Sequence, residues 1–425
     1  MQPPLRIAFL LPSFPELSNT FILNQITGLL DRGHDVRLLA EARGSFDGAP
    51  SAVERYRLAE RMCHIPIPRR HIARLRSALA LLASPSGRTR AALDSLDPRH
   101  HGKAAWNLVQ YHTAVSILRA ERFDVLHCQF GVHGPAAERV LRLAGLEVPL
   151  VTSFRGADLT KTLQREPRRF SELLRNGDLF LPVSRDFRQR LIEAGAPPER
   201  VVVHRSGIDL RRFPFNPRPP RETGARLLFV GRLTEKKGVV YLLEALARLI
   251  ASGRELELNI IGSGPLQDAL RAKSRDLGLD QHVHFDGALS HDEVVAALER
   301  SHALVAPSVT AADGDQEGIP NVLKEAMACG LPVVATHHSG IPELVEDGVT
   351  GFLAPERDVV ALADRIAWLL DDPSRRLELG MAARRRVERE YDTERLNDEL
   401  VDLYRCAIAA RSARAGRAHD AQGEV

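Results

Sequence analysis

The chain has only four cysteines in 425 residues. Cys63, Cys128, Cys329 and Cys406 lie far apart, without the paired spacing of a zinc or redox site, so no disulfide framework or thiolate metal centre is implied and a reducing cytosol is the expected setting. No apolar run approaches the roughly 20 residues that a membrane-crossing helix needs. The apolar stretch from Leu5 to Leu11 stops at Pro12 with no small-residue cleavage site behind it, and reads as a first β-strand rather than a secretory leader. Zinc-finger spacing, an aromatic-basic RNA motif and a compact base-reading helix are also missing, which argues against nucleic acid as the partner.

What is present is ordinary for a globular protein of two domains: 44% hydrophobic and 27% charged residues. The net charge of +3 hides an asymmetry. Residues 1–220 hold 33 Lys+Arg against 21 Asp+Glu, and the remainder holds 25 against 34. A basic first half suits an anionic membrane surface or a lipid diphosphate.

The most informative stretch runs from Glu317 to Gly330, followed by Leu331-Pro332-Val333-Val334-Ala335. Gly318 and Pro320 stand just before an apolar run that Gly330 closes, so Asn321 to Cys329 reads as a short helix and Val333 to Ala335 as a strand. A helix start offers free backbone N–H groups and a positive dipole end, whose natural guest is an anion such as a diphosphate. Glu317 precedes that mouth and Glu325 lies inside the helix, about 6 Å further on at 1.5 Å per residue. Each carboxylate can accept two hydroxyl hydrogen bonds, as a sugar diol requires. A nucleotide-sugar laid along this element would offer its hexose to Glu317, its diphosphate to the helix start and its ribose to Glu325. The competing reading is a surface helix whose Lys324-Glu325 pair faces water.

A second element shifts the balance. Arg226 to Val230 reads as a buried strand, Gly231 to Gly238 as its loop, and Val239 to Ile250 as an amphipathic helix, which places Arg232 and Lys237 on a strand-to-helix turn. In open α/β sheets ligands bind at such turns, and two cations there could neutralise a departing nucleoside diphosphate without a metal. Gly262-Ser263-Gly264-Pro265, after the strand Leu256 to Ile261, is a further glycine turn able to meet phosphate.

Val230-Gly231-Arg232 with Glu235-Lys236-Lys237-Gly238, Glu317-Gly318-Ile319-Pro320-Asn321 to Glu325, Gly340-Ile341-Pro342-Glu343, and Asp347-Gly348-Val349-Thr350-Gly351-Phe352 together resemble the retaining GT-B glycosyltransferases of family 4. Phe14 to Phe21 and Ser308-Val309-Thr310 with Asp313 to Gly318 resemble its colanic-acid exopolysaccharide branch. The resemblance implies an α/β fold of the GT-B kind, two Rossmann-like doubly wound domains facing a central cleft. Residues 1–215 would bind acceptor and 216–390 the nucleotide-sugar donor; 391–410 would form a helix returning to the first domain, and 411–425 a disordered tail. It implies that Arg232 and Lys237 stabilise the leaving diphosphate, that Glu317 orients the hexose and that Glu325 holds the ribose. Gly231, Gly262, Gly264, Leu289, Gly318, Ile319, Pro320, Asn321 and Val322 would line the donor site, Leu289 near the nucleobase. The family has no agreed nucleophile, and retention is attributed to front-face attack in which the leaving phosphate takes the proton.

The remaining chain supplies acceptor candidates. Leu5 to Leu11, a helix from Thr20 to Arg32 and Val36 to Ala40 make a βαβ start whose first loop carries Ser18, Asn19 and Thr20 toward the binding edge. The family branch more often has Glu at the position of Asn19. Phe123 to Cys128 and Pro149 to Phe154 read as strands that end in Gln129 and in Arg155 and Asp158; many relatives have histidine where Gln129 and Arg155 fall. His127 and His133 read as packed or surface residues. Asp178 to Val183 and Val201 to His204 complete the first sheet, and Pro214, Pro217, Pro219 and Pro220 mark the linker. Residues 50–120 read as helical, and Arg69 to Ala83, with Ile72, Leu75, Leu79 and Leu82 at helical spacing, as a basic amphipathic helix that lies on an anionic membrane or packs on its own domain. Asp313-Gly314-Asp315 invites a metal reading, but a loop positioning Glu317 fits better, and no metal or cofactor is expected. The expected enzyme is a cytoplasmic retaining hexosyltransferase, peripheral on the membrane, using a UDP- or GDP-linked donor. The alternatives are a nucleotide-sugar 2-epimerase of similar architecture and a two-lobed sugar-binding protein.

Overall fold

A computed structural model describes residues 2–15, 20–44, 51–63, 67–68, 70–101, 103–120, 122–216 and 225–423. Ser18, Asn19, Arg69, Pro217, Pro219 and Pro220 lie outside them. The chain forms two units: Met1–Val183 with Phe187–His204 and Asn397–Val425, and Ser184–Asp186 with Arg205–Leu396.

The first unit is built on β1 (Arg6–Phe14), β2 (Asp35–Arg43), β3 (Val125–Cys128), β4 (Leu150–Phe154) and β5 (Leu179–Pro182), in the order β2-β1-β3-β4-β5. Every pairing is parallel. A parallel sheet is covered on both faces, which is why its strands read as nearly unbroken apolar runs. Side chains alternate between two cores: Leu10, Leu126, Phe154 and Phe180 on one side, and Ile7, Phe9, Val125 and Leu181 on the other. Val201 makes only one bridge, to Phe180. The N–H groups of Val202 and His204 do reach β5, but no sixth strand develops where the sequence suggested one.

The second unit is built on β6 (Ala225–Val230), β7 (Leu256–Ile261), β8 (Val283–Gly287), β9 (Ala303–Ala306), β10 (Val333–Thr336) and β11 (Phe352–Ala354), in the order β11-β10-β9-β6-β7-β8, again all parallel. The chain leaves β6 toward β7 and β8 and returns on its other side as β9, so the winding reverses between β6 and β9. In an open sheet that reversal parts the loops and opens a crevice at the strands' carboxyl ends.

The sequence predicts helices in both of the next two stretches, and the second runs further than predicted. The helix His71–Leu82 buries Ala78 and Leu81 in a small core with Tyr111 and Val115. Three other apolar side chains face outward: Ile72, Leu75 and Leu79 are 72%, 51% and 59% exposed. At the other end one helix runs Thr393–Gly423, continuing beyond Arg411 where the sequence suggested a disordered tail. Arg411 and Arg414 secure it by donating to the buried Asp178.

Candidate functional site

The loops after β6 and β9, on either side of the reversal, are stitched together. The Val309 N–H donates to the Lys236 carbonyl at 2.9 Å, and the Ala312 N–H to Glu235 Oε1 at 3.0 Å. Gly238 permits this closeness: its φ is +66°, and a Cβ there would stand 1.9 Å from the Pro307 carbonyl oxygen. The loops bring Lys237 Nζ to 3.2 Å from Glu317 Oε2 and Lys236 Nζ to 3.1 Å from Oε1, with Asp315 Oδ1 3.4 Å from Lys236 Nζ. Burial pushes the Glu317 carboxyl up, but Lys237 and then Lys236 outweigh it and hold it below the usual glutamate value. Glu317 is therefore ionised at neutral pH and acts as an acceptor.

The helix Asn321–Ala328 follows, with Pro320 at its N-cap and no side chain capping it. The helix Val239–Ala251 also starts uncapped, behind Gly238. Helix starts of this kind present backbone N–H groups suited to an anion, and the two lysines on these loops are balanced by Glu317 and Asp315. Arg232 is exposed on the same loop, whereas Lys237 is half-buried and its stem runs along Gly231. Gly262 lies against that loop with φ +133°, where a Cβ would meet the Gly231 carbonyl at 2.0 Å; Gly264 likewise abuts the Leu233 carbonyl. Gly318 and Ile319 are half-buried before the helix, and Val322 and Leu289 pack against the core beneath.

Glu325, one turn into the helix, is half-buried; burial raises its carboxyl to about 7, while Lys324 and Arg212 pull the other way. Lys324 does not face water. It is 1% exposed, donates to the Ser206 carbonyl at 2.6 Å and lies 5.7 Å from the centre of the Tyr391 ring. Of Asp313-Gly314-Asp315, Asp313 is exposed and accepts from the Asp315 N–H, while Asp315 faces Lys236. Among the described residues no group of three or more His, Cys, Asp and Glu side chains is placed to hold a metal ion.

In the first unit, Thr20 opens the helix Thr20–Asp31. Gln129, Arg155 and Asp158 meet in a buried network after β3 and β4. Arg155 donates to Gln129 Oε1 at 3.3 Å and lies 4.3 Å over the Phe21 ring. Burial lowers its guanidinium to about 10. Asp158 receives the N–H groups of Gly131 and Arg155, and burial still raises its carboxyl to about 6. His127, fully buried, bonds Tyr404 Oη at 2.6 Å and Ser153 Oγ at 2.8 Å, and burial together with Arg155 and His204 holds its pKa well below the ordinary histidine value. It is a packed residue, as its sequence context indicated.

Sequence reasoning missed Lys236 and His338. Lys236 had a signal in its adjacency to Lys237, and the chain's close stitching makes both point at one carboxylate. His338, 0% exposed, takes the Glu317 N–H on its Nε2 at 3.0 Å, and nothing in its spacing announces that contact.

Two successive doubly wound parallel units, the second carrying a lysine–carboxylate cluster at its switch point, define a GT-B glycosyltransferase fold. Among solved structures, Anabaena Alr3699/HepE in complex with UDP matches with a TM-score of 0.70 and 19% identity, covering 94% of this chain and 99% of that one. The chain belongs to the glycosyltransferases: residues 212–386 match the family Glycosyl transferases group 1, and residues 18–212 match Glycosyltransferase Family 4. WcaL of Escherichia coli (strain K12), assigned as a colanic acid biosynthesis glycosyltransferase, is 35% identical over 94% of this chain and 99% of its own length. The amylovoran biosynthesis glycosyltransferase AmsK of Erwinia amylovora is 34% identical over the same shares.

Proposed function

We propose that the chain transfers a hexose from a nucleoside-diphosphate sugar to a hydroxyl of a glycan or lipid-linked oligosaccharide, with retained anomeric configuration, in exopolysaccharide or related glycan biosynthesis. The carrying observation is the pairing of Lys236 and Lys237 with an ionised Glu317 beside the uncapped helix Asn321–Ala328. The diphosphate occupies the helix mouth, Arg232 and Lys237 neutralise it as it departs, Glu317 accepts hydroxyls of the hexose, and Glu325 accepts those of the ribose. Gly231, Gly262, Gly264 and the run Gly318 to Val322 bring backbone within reach of the phosphates, and Leu289 borders the base. The departing phosphate takes the acceptor's proton as the new glycosidic bond forms on the same face, so no enzyme nucleophile or metal is assigned. Arg155, at 8% exposure, is the acceptor-side residue of the first unit; the buried Gln129 and Asp158 hold it and its loop in place.

Supporting the donor class, HepE has been solved with UDP and with UDP-glucose. Supporting the pathway, WcaL and AmsK are assigned to colanic acid and amylovoran biosynthesis. Thermal-shift screening of UDP- and GDP-sugars identifies the donor, since a ligand at 100 times its Kd stabilises by about 2.7 kcal/mol. An NMR assay of the product's anomeric centre then tests retention. Interconversion of the donor sugar without acceptor would replace this reading by an epimerase.

The reading also sets the enzyme on the inner face of an anionic membrane. Among the described residues, no helix is long and apolar enough to cross a bilayer. The outward ridge of Ile72, Leu75 and Leu79, flanked by exposed Arg70 and Arg76, suits shallow insertion instead. From Arg61 to Leu93 there are seven arginines and no acid. Arg74 serves the fold, donating to the carbonyls of Pro68 and Asn107. Co-sedimentation with phosphatidylglycerol vesicles should be salt-sensitive and lost in I72S/L75S/L79S. No sedimentation of the unaltered chain, or a dimer that the triple variant dissolves, would remove the membrane from the reading.

A further inference from the structure

The stretch of residues 307–320, between β9 and the helix Asn321–Ala328, is long for a connection in a compact domain and carries Glu317 near its end. A carboxylate that must meet sugar hydroxyls within a few tenths of an ångström needs its backbone fixed as well as its charge. Lys236 and Lys237 hold the Glu317 side chain; its backbone N–H is taken by His338 Nε2 at 3.0 Å.

That bond dictates the state of the ring. Nε2 must present a lone pair to the N–H, so the ring proton sits on Nδ1, which lies 2.6 Å from Glu356 Oε1. Glu356 is fixed in turn by the loop it serves, receiving the Thr310 N–H at 2.8 Å, and Gln316 donates to the Thr310 hydroxyl at 3.0 Å. Burial pushes the Glu356 carboxyl up, but the Thr310 N–H and His338 outweigh it and keep the carboxylate ionised. The chain from Glu356 through His338 to the Glu317 N–H thus reads acceptor, donor, acceptor, donor without a mismatch. Gly340 completes the support: a Cβ there would fall 2.9 Å from Ile319 Cγ1 and 3.1 Å from the Gly318 carbonyl, so its bare backbone lets the loop settle.

We propose that His338, oriented by Glu356, is a positioning residue for glycosyl transfer: it fixes the backbone of Glu317 so that the carboxylate meets the hexose in the reactive orientation. The inference rests on the role assigned to Glu317 above. His338 touches neither donor nor acceptor, so its loss should lower kcat while leaving donor affinity nearly intact, since a small misplacement of a correctly charged group costs about 10- to 100-fold in rate.

The test measures nucleoside diphosphate release from UDP-glucose and GDP-mannose by the full chain and its variants, together with donor Kd and melting temperature. H338F keeps a ring but no acceptor, and should lose 10- to 100-fold in kcat with Kd changed less than about threefold. H338Q returns an acceptor oxygen near the place of Nε2 and should recover most of that loss; E356Q, which weakens the ring's orientation, should fall between. H338F turning over normally, or H338F and H338Q losing kcat equally, overturns the proposal. Should H338F fail to fold, ¹⁵N spectra of histidine-labelled, unaltered protein decide: a buried ring protonated on Nδ1 supports it, and one protonated on Nε2 refutes it. E317Q separates the two layers. Normal turnover in E317Q removes the role of Glu317 itself, whereas a dead E317Q beside a normal H338F removes only the positioning role.

Discussion

Lys237→Ala probes the site most directly. Lys237 Nζ stands 3.2 Å from Glu317 Oε2, with the two side chains 16% and 13% exposed. At an effective dielectric near 20, one such pair attracts by roughly 5 kcal/mol before desolvation is counted. Most of that is offset by the cost of burying both ions, and Lys236 remains against the other oxygen, so the net loss to folding should be about 1–2 kcal/mol. For a unit of this size that lowers the melting temperature by a few degrees. Turnover should suffer far more. Removing a fixed charge aimed at a departing diphosphate costs about 2.7–4 kcal/mol of transition-state stabilisation, or 100- to 1,000-fold in kcat. Because the Lys237 charge helps hold down the Glu317 carboxyl, the variant's carboxyl should also rise. The assay is release of UDP or GDP at saturating donor, beside thermal melts; K237R keeps the charge and should lose much less. A folded K237A within about fivefold of the unaltered enzyme would refute the reasoning.

Other predictions concern separate parts of the molecule. Glu325 is held near 7 by burial, so it is protonated below that pH and ionised above it; donor affinity by calorimetry should strengthen as pH rises through about 7, and E325Q should lose that dependence. The same raised pKa means that ionising Glu325 costs stability as pH climbs from the unfolded value toward 7, so E325Q should melt higher than the parent above pH 7. Gly262→Ala combines φ +133° with a Cβ 2.0 Å from a carbonyl, and should lose at least about 2 kcal/mol in denaturant titrations together with donor-induced stabilisation. Tyr404→Phe strips His127 Nδ1 of its hydroxyl partner and should cost about 1–3 kcal/mol in the same measurement. His127 stays neutral when folded and takes a proton when unfolded, so its contribution should be intact above pH 6.5 and decline as pH falls below it.

The parallel sheets were legible because buried strands cannot hide. Leu256–Ile261 could be bounded to the residue, and β6 and β10 to within one, since each is an apolar or alternating segment punctuated by glycine or proline. Glu317 and Lys237 could be named because they flank those punctuation marks. What could not be read were relations between distant residues. Lys324 sits beside Glu325 in a sequence that looks like a solvent-facing pair, yet the Ser206 carbonyl, 118 positions away, draws it inside. The stripe Ile72, Leu75, Leu79, Leu82 has the period of a packed face, but only Leu82 of the four joins Ala78 and Leu81 in the core around Tyr111. Periodicity reveals that a helix has an apolar side; it does not say whether protein covers it. The tether on the Glu317 backbone was invisible for a similar reason, since a backbone amide leaves no trace in residue identity.

The helix Thr393–Gly423 changes how the chain must come off the ribosome. Leu400, Val401, Tyr404 and Ala407 belong to the same core as Ile7, Phe9 and Val125, and the unit that opens the chain regains them only from Asn397 onward. The half translated first is therefore the last to finish folding. A fragment ending near residue 204 would expose that apolar surface and leave His127 without its phenol, so an isolated N-terminal piece should aggregate unless the terminal helix is supplied in trans.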